Sequence, residues 1–274
     1  MNIDDAVIVK AHYDADPQKE WDRLAGGKYG KFEFRIAAHF MDKYIKPGDS
    51  VLDIGGGTGR YSIWLAQKGC DVALFDLSEQ SIEFAEKKAK EYNVGLKTFA
   101  GDARYISANP KLAKKYDHVL VMGPLYHLIN ENDRIAVLKG AISHLKKGGT
   151  LFVSFISLIG GYVYMARECP ELITLPAEQV PVNAFINGQS FGGDGFTRAF
   201  FAYPDYILPF MEQFPLKKLH FFAQEGISAP FAQHYAKLSQ EAVEEWYRIS
   251  LAVCEKPEFF SYAEHLMYIG EKLK

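Results

Sequence analysis

The sequence predicts an α/β protein built on a doubly wound, mostly parallel sheet. Three observations lead there: apolar runs that read as buried strands alternate with segments of helical period, the runs end on an acid or a glycine, and a glycine-rich turn joins the first strand to its helix. That first strand is Val51-Leu52-Asp53-Ile54, which breaks into Gly55-Gly56-Gly57-Thr58-Gly59 before a helix over about 60–68. Gly55, Gly57 and Gly59 permit positive φ and let a ligand come closer than any Cβ would allow. The helix that follows aims its free N–H groups at the same place.

The later elements repeat the pattern. Asp71-Val72-Ala73-Leu74-Phe75-Asp76 is a second strand, and Asp76, with Leu77 beside it, stands where a carboxylate accepts ribose hydroxyls. Ser78 caps a helix over 79–92 with Ile82, Ala85, Ala89 and Tyr92 as its apolar stripe. A third short strand, Thr98-Phe99-Ala100, runs into Gly101-Asp102-Ala103, again an acid at a strand end. The fourth run, 117–122, enters a rigid Gly123-Pro124 loop that continues through Tyr126 and His127. A helix over 133–147 follows, with Lys146-Lys147-Gly148-Gly149 at its exit, and 150–156 is the fifth strand. Ligands of such sheets gather outside the carboxyl ends of the strands, where all these motifs lie.

Spacing separates two cofactor classes. A dinucleotide fingerprint needs G-x-G-x-x-G, but the frame from Gly55 ends on Arg60 and the frame from Gly57 ends on Ser62. Asp53 also precedes the turn, where its charge opposes a pyrophosphate and suits an ammonium. The expected cofactor is therefore S-adenosyl-L-methionine, which carries an ammonium and a sulfonium, with an NAD(P)-dependent oxidoreductase or a non-catalytic S-adenosylmethionine-binding protein as the alternatives.

These residues resemble the class I S-adenosylmethionine-dependent methyltransferases, whose first motif stands here as Asp53-Ile54-Gly55-Gly56-Gly57-Thr58-Gly59. The resemblance implies a Rossmann-like fold of seven strands, the last antiparallel, with 216–224 and 265–271 as the closing pair. It implies that Asp76 and Leu77 meet the ribose, that Asp102 and Ala103 meet the adenine, and that backbone at Met122 and Gly123 receives the methionine ammonium. The run Gly123-Pro124-Leu125-Tyr126-His127-Leu128 is close to bacterial small-molecule enzymes whose core is similar to the ubiquinone/menaquinone C-methyltransferases. The implied organisation is an N-terminal helical lid (1–46), a cofactor-binding core (47–156), a substrate-cap insertion between strands five and six (157–205) and the C-terminal part of the sheet (206–274). Tyr13 of the lid is expected near the methionine part of the cofactor.

The implied chemistry is in-line displacement on the sulfonium methyl. His127 is the one side chain of its loop with an ordinary pKa near neutrality, so it is the candidate general base, and Tyr126 is expected to orient the acceptor or shield the sulfonium. The aromatic density of the insertion, including Tyr162, Tyr164, Phe185, Phe191, Phe196, Phe200 and Phe201, points to a roof over a small apolar or aromatic acceptor. Within it, 187–195 is glycine-rich enough to read as a mobile tip. Glu225 is placed to reach the same mouth.

Composition sets limits. A chain of 274 residues with a net charge of −3 offers no basic footprint for nucleic acid, which disfavours an RNA substrate. Three scattered cysteines give no C-x-x-C pair, so no metal is expected. The chain shows neither a basic segment followed by an apolar run nor a stretch of membrane-spanning length, so a cytoplasmic protein acting on a small molecule, away from membranes, is expected.

Overall fold

The computed structural model describes residues 4–25, 31–112 and 114–273. Three helices come first: α1 (Asp5–Ala15), α2 (Pro17–Ala25) and α3 (Lys31–Tyr44). Then strands and helices alternate through β1 (Ser50–Ile54), α4 (Arg60–Gln67), β2 (Asp71–Asp76), α5 (Glu79–Glu91), β3 (Lys97–Ala100), β4 (Tyr116–Val121), α6 (Glu131–His144) and β5 (Leu145–Ser157). The remaining strands are β6 (Phe191–Asp194), β7 (Arg198–Ala202), β8 (Leu216–Ala223) and β9 (His265–Lys272), with α7 (Leu158–Glu168) and α8 (Gln179–Ile186) before β6.

The central strands lie in the order β3-β2-β1-β4-β5, all parallel, so the chain reverses its direction of growth between β1 and β4. Burial explains their composition: β1 and β4 are covered on both faces, and Leu52, Ile54, Val119 and Val121 are wholly inaccessible. β9 runs antiparallel between β5 and β8, the expected closing pair.

Nine strands rather than seven make up the sheet among the described residues. The two extra ones come from the segment read as a mobile tip, since Phe191–Asp194 pairs antiparallel with Arg198–Ala202 as a hairpin. Its glycines belong to the pairing: a Cβ on Gly192 would lie 2.7 Å from Ile129, and one on Gly193 would lie 2.5 Å from the Phe191 ring. β7 in turn extends the carboxyl end of β5, with Ile156 opposite Phe201 and Ser157 opposite Ala202. A second adjustment concerns the Lys146-Lys147-Gly148-Gly149 exit, which lies in β5 and not in the helix. The helix stops at His144, and Leu145 already has extended backbone.

Arg134 of α6 ties the hairpin to the loop after β4. Its side chain is 3% exposed; it donates to the carbonyls of Leu128 and Ile129 at 2.6 and 2.8 Å and lies 3.6 Å from the centre of the Phe200 ring. Replacing it leaves two carbonyls short of a partner in a buried place. Arg134→Leu is expected to cost about 2–4 kcal/mol, measured by urea unfolding; a loss under about 0.5 kcal/mol would show that the loop and hairpin hold together without it.

Candidate active site

A cleft of about 1120 Å³ of open space lies over the carboxyl ends of β1, β2, β3 and β4, at the reversal point of the sheet. Its floor is the turn after β1. Gly55 has φ +70° and donates its N–H to the Phe75 carbonyl at 2.6 Å, which fixes the turn to the end of β2. A Cβ on Gly55 would meet Pro124 Cγ at 2.4 Å, and one on Gly123 would meet the Gly55 carbonyl at 2.8 Å. Gly57, also at positive φ, has open space where its Cβ would be. Gly59 plays a different part: it is absent from the cleft wall, and its positive φ lets α4 start within contact of Ala85 and Leu74.

Three acids stand around this turn. Asp53 is buried beneath it, accepting the Ser62 hydroxyl at Oδ2 (2.7 Å), while its Oδ1 has no partner. Burial raises its pKa to about 7 against the Ser62 hydrogen bond, with the charge of Asp76 adding to the rise. Asp76 accepts the Gly57 N–H at 2.7 Å and the Ser78 N–H at 2.8 Å; burial nevertheless leaves its pKa above the ordinary value. Asp102 accepts the Arg104 N–H at 2.9 Å and the Arg104 guanidinium at 2.6 Å, so its carboxylate is held facing a cation. Leu77, Ala103, Met122, Gly123, Tyr126, His127 and Tyr13 complete the expected set along the same wall.

Tyr13 and His127, 114 positions apart, meet. The Tyr13 hydroxyl lies 2.8 Å from His127 Nε2, and His127 Nδ1 lies 3.0 Å from the Arg198 carbonyl. A carbonyl only accepts, so Nδ1 carries the hydrogen, and Nε2 accepts from the tyrosine. Burial lowers the His127 pKa to about 4, and the imidazole is neutral. Tyr126 packs edge-on against this imidazole, with ring centres 4.8 Å apart.

The insertion does not roof the cleft: none of 157–205 appears in its lining. The pairing of β7 with β5 turns Tyr162, Phe191 and Phe201 toward a separate pocket shared with Leu158, Met165 and Pro181. The insertion reaches the site through the Arg198 carbonyl and through Phe196, whose ring lies 5.7 Å from that of His127. Of the aromatic run only Phe200 joins the core, and Tyr164 and Phe196 are exposed, so composition alone does not show which wall the run builds.

The cleft also carries charges that the motifs gave no sign of. Arg23 bonds Glu20 at 2.9 Å and Glu33 at 2.8 Å, and all three line the cleft with Tyr61 and Ser154. Behind them Glu225, expected to reach the mouth, is buried and does not line the cleft; it accepts from His265 Nδ1 at 2.7 Å and from the His265 N–H at 3.1 Å. Burial works against the His265 imidazolium, but Glu33 and Glu225 outweigh it and raise the pKa to about 9. These residues come from helices and strands far apart in sequence, so only the fold assembles them. Tyr29, among the aromatic residues of the lid segment, lies outside the described residues.

A raised histidine pKa stabilises the fold fully below the unfolded value near 6.5, and the contribution disappears as pH rises through 9. Thermal melts are expected to show a loss of about 1–3 kcal/mol between those limits that is absent in His265→Gln; an identical pH dependence in the variant would remove this pairing as the source.

Comparison with known proteins matches residues 51–149 to a methyltransferase-domain family. Ubiquinone biosynthesis O-methyltransferase of Xanthomonas campestris pv. campestris is 30% identical over 178 residues, covering 61% of this chain and 68% of that protein. Glycine/sarcosine N-methyltransferase of Halorhodospira halochloris is 27% identical over 207 residues, 73% of this chain and 69% of that one. Among solved structures, magnesium protoporphyrin IX methyltransferase from Synechocystis, with bound S-adenosylhomocysteine, aligns over 98% of this chain and 100% of its own, with a TM-score of 0.59 at 17% identity. An N-methyltransferase from Bradyrhizobium japonicum aligns over 99% and 100% with a TM-score of 0.57 at 12% identity, a likeness of fold.

Proposed function

The chain belongs to the class I S-adenosylmethionine-dependent methyltransferases, and from that premise we propose that its cleft brings a small acceptor to the methyl end of the cofactor beside Tyr13 and Tyr126. The observation that carries the placement is the set of acids at three neighbouring strand ends around one glycine turn, with a buried oxygen of Asp53 left unpartnered. Asp53, the backbone of Gly55 and Gly57, and the Met122-Gly123 segment would hold the methionine part. Asp76 and Leu77 would hold the ribose, and Asp102 with Ala103 the adenine. Gly59 serves the turn. When bound, the cofactor supplies a methyl carbon already activated by its sulfonium.

The protein's task is then position and protons. In this reading the Tyr13 hydroxyl occupies His127 Nε2, so the histidine acts through the tyrosine. An acceptor that loses a proton would give it to Tyr13 Oη as the tyrosine's own proton moves to His127 Nε2. Neutrality of the imidazole keeps that nitrogen free to accept. The Arg198 carbonyl fixes the tautomer the relay requires. Tyr13, Tyr61, Phe75 and Tyr126 give the cleft aromatic walls, which supports an acceptor with an apolar or aromatic body. The charged groups in the cleft wall support an ionic group on the same molecule.

Calorimetric titration tests the cofactor site. S-adenosylhomocysteine is expected to bind in the micromolar range and NADH to give no saturable heat; Asp76→Ala is expected to weaken binding by about 1–3 kcal/mol with unchanged melting. Equal affinity in the variant would remove Asp76 from the site. For the relay, Tyr13→Phe and His127→Ala are each expected to lower kcat by about 10²–10⁴ for an acceptor that loses a proton. The double variant should lose no more than the worse single one, because the two act as a unit, and additive losses would separate them.

A further inference from the structure

We infer that the acceptor carries an amino group, held as an ammonium by Glu33 and Tyr61 in the wall of the cleft. The inference rests on the methyltransferase reading of the same cleft and adds the chemical class of the acceptor. Two independent features of the structure point to it. The first is a convergence of ligating atoms: one from each of Glu33, Glu225 and His265 lies within 4.8 Å of the others, and Glu33 alone of the three lines the cleft. The second is an unpaid polar group: Tyr61 is 6% exposed, lines the cleft, and its hydroxyl has no hydrogen-bond partner among the described residues. A hydroxyl buried without a partner costs about 1–3 kcal/mol, so a group that pairs with it recovers that free energy.

The surrounding charge decides which kind of group. Arg23 is shared between Glu20 and Glu33, and Arg167 between Glu168 and Glu264. Glu225 has His265. Among these described residues the carboxylates outnumber the basic groups, five to three. Glu264 is raised to about 6, burial being the first cause and the charge of Glu225 the second, while against burial Arg23 and His265 hold Glu33 below its ordinary value and keep it a carboxylate. A carboxylate ligand would add to this excess, and a neutral hydroxyl would leave it unchanged. An ammonium reduces it, while donating to Glu33 and to the free lone pairs of the Tyr61 oxygen. His265, itself held by Glu225, attracts Glu33 by its charge, and neither His265 nor Glu225 reaches the cleft.

The test uses the full chain and calorimetry. S-adenosylhomocysteine is titrated first, and the saturated protein is then titrated with benzylamine and ethylamine, with benzyl alcohol and benzoate as matched compounds lacking the ammonium. Saturable binding of the amines and not of the alcohol or the carboxylate is expected up to tens of millimolar. Glu33→Gln should weaken amine binding about tenfold or more, and Tyr61→Phe, which keeps the ring, about threefold. Melting curves of both variants confirm that they fold. Absence of amine binding over that range, equal binding of benzyl alcohol, or an unchanged affinity in Glu33→Gln overturns the inference while leaving the cofactor site standing. Stoichiometric binding of Mn²⁺ that Glu33→Gln abolishes and that excludes the amines also overturns it, in favour of a metal. Failure of S-adenosylhomocysteine to bind is a separate result that overturns the underlying reading, and the amine titration, repeated without the nucleoside, still decides the ammonium site.

Discussion

The close approach of two backbone segments at the reversal point of the sheet is the constraint on which the rest depends. Gly55 and the Gly123-Pro124 segment touch where neither glycine has room for a side chain. That contact joins the turn after β1 to the loop after β4, and through the Gly55 N–H to the end of β2. The acids Asp53, Asp76 and Asp102 are thereby brought around one cleft, although each belongs to its own strand end. Register transmits the arrangement: Ile54 lies opposite both Phe75 and Val121, so the strand ends finish level. A one-residue slip would reverse every side chain of β1 and take Asp53 away from Ser62.

The helix α1, which lines the cleft through Val9, Lys10 and Tyr13, is held in place by a different kind of interaction. Asp4 reaches Arg104, Asp5 reaches Arg198, Lys10 reaches Glu79, and Asp14 accepts from Ser78. Partly exposed ion pairs of this sort contribute about 0–1 kcal/mol each. They set the orientation of the helix and add little to stability. The Tyr13–His127 hydrogen bond is the inner contact of the same helix and connects it to the loop after β4.

Much of this was legible in the sequence because its signals are local. Strand, turn and acid are adjacent in Asp53-to-Gly59, Phe75-Asp76 and Gly101-Asp102-Ala103, so short segments reveal both the sheet and the wall of the cleft. What escaped has no local trace. Glu33 and Tyr61 sit in helices where one reads as a surface acid and the other as core, and His265 opens β9, far from both in sequence. Arg134 lies in the charged first turn of α6, where an arginine is ordinarily solvated. The glycines of 187–195 mislead for the opposite reason: the composition is that of a loop, but pairing with β7 and contact with Ile129 favour a strand. His127 was visible as a titratable group. Its ordinary pKa was a poor guide, since burial and two hydrogen bonds decide its state.

The low basicity of His127 has a further meaning within the proposed arrangement. A protonated imidazole in this loop would place a positive charge beside a sulfonium in a site poor in water, where like charges repel most strongly. A neutral one can still accept a proton briefly through Tyr13 and imposes no such penalty on binding. The acids show the converse. Asp53 is pushed toward neutrality by burial, and an ammonium near its free oxygen would restore its charge. The two shifts have the same direction in electrostatic terms, since burial disfavours the charged form of each group. In the proposed arrangement the histidine would remain uncharged beside the sulfonium, whereas Asp53 would become charged beside the ammonium, so one physical cause, burial, would suit the two residues to opposite roles.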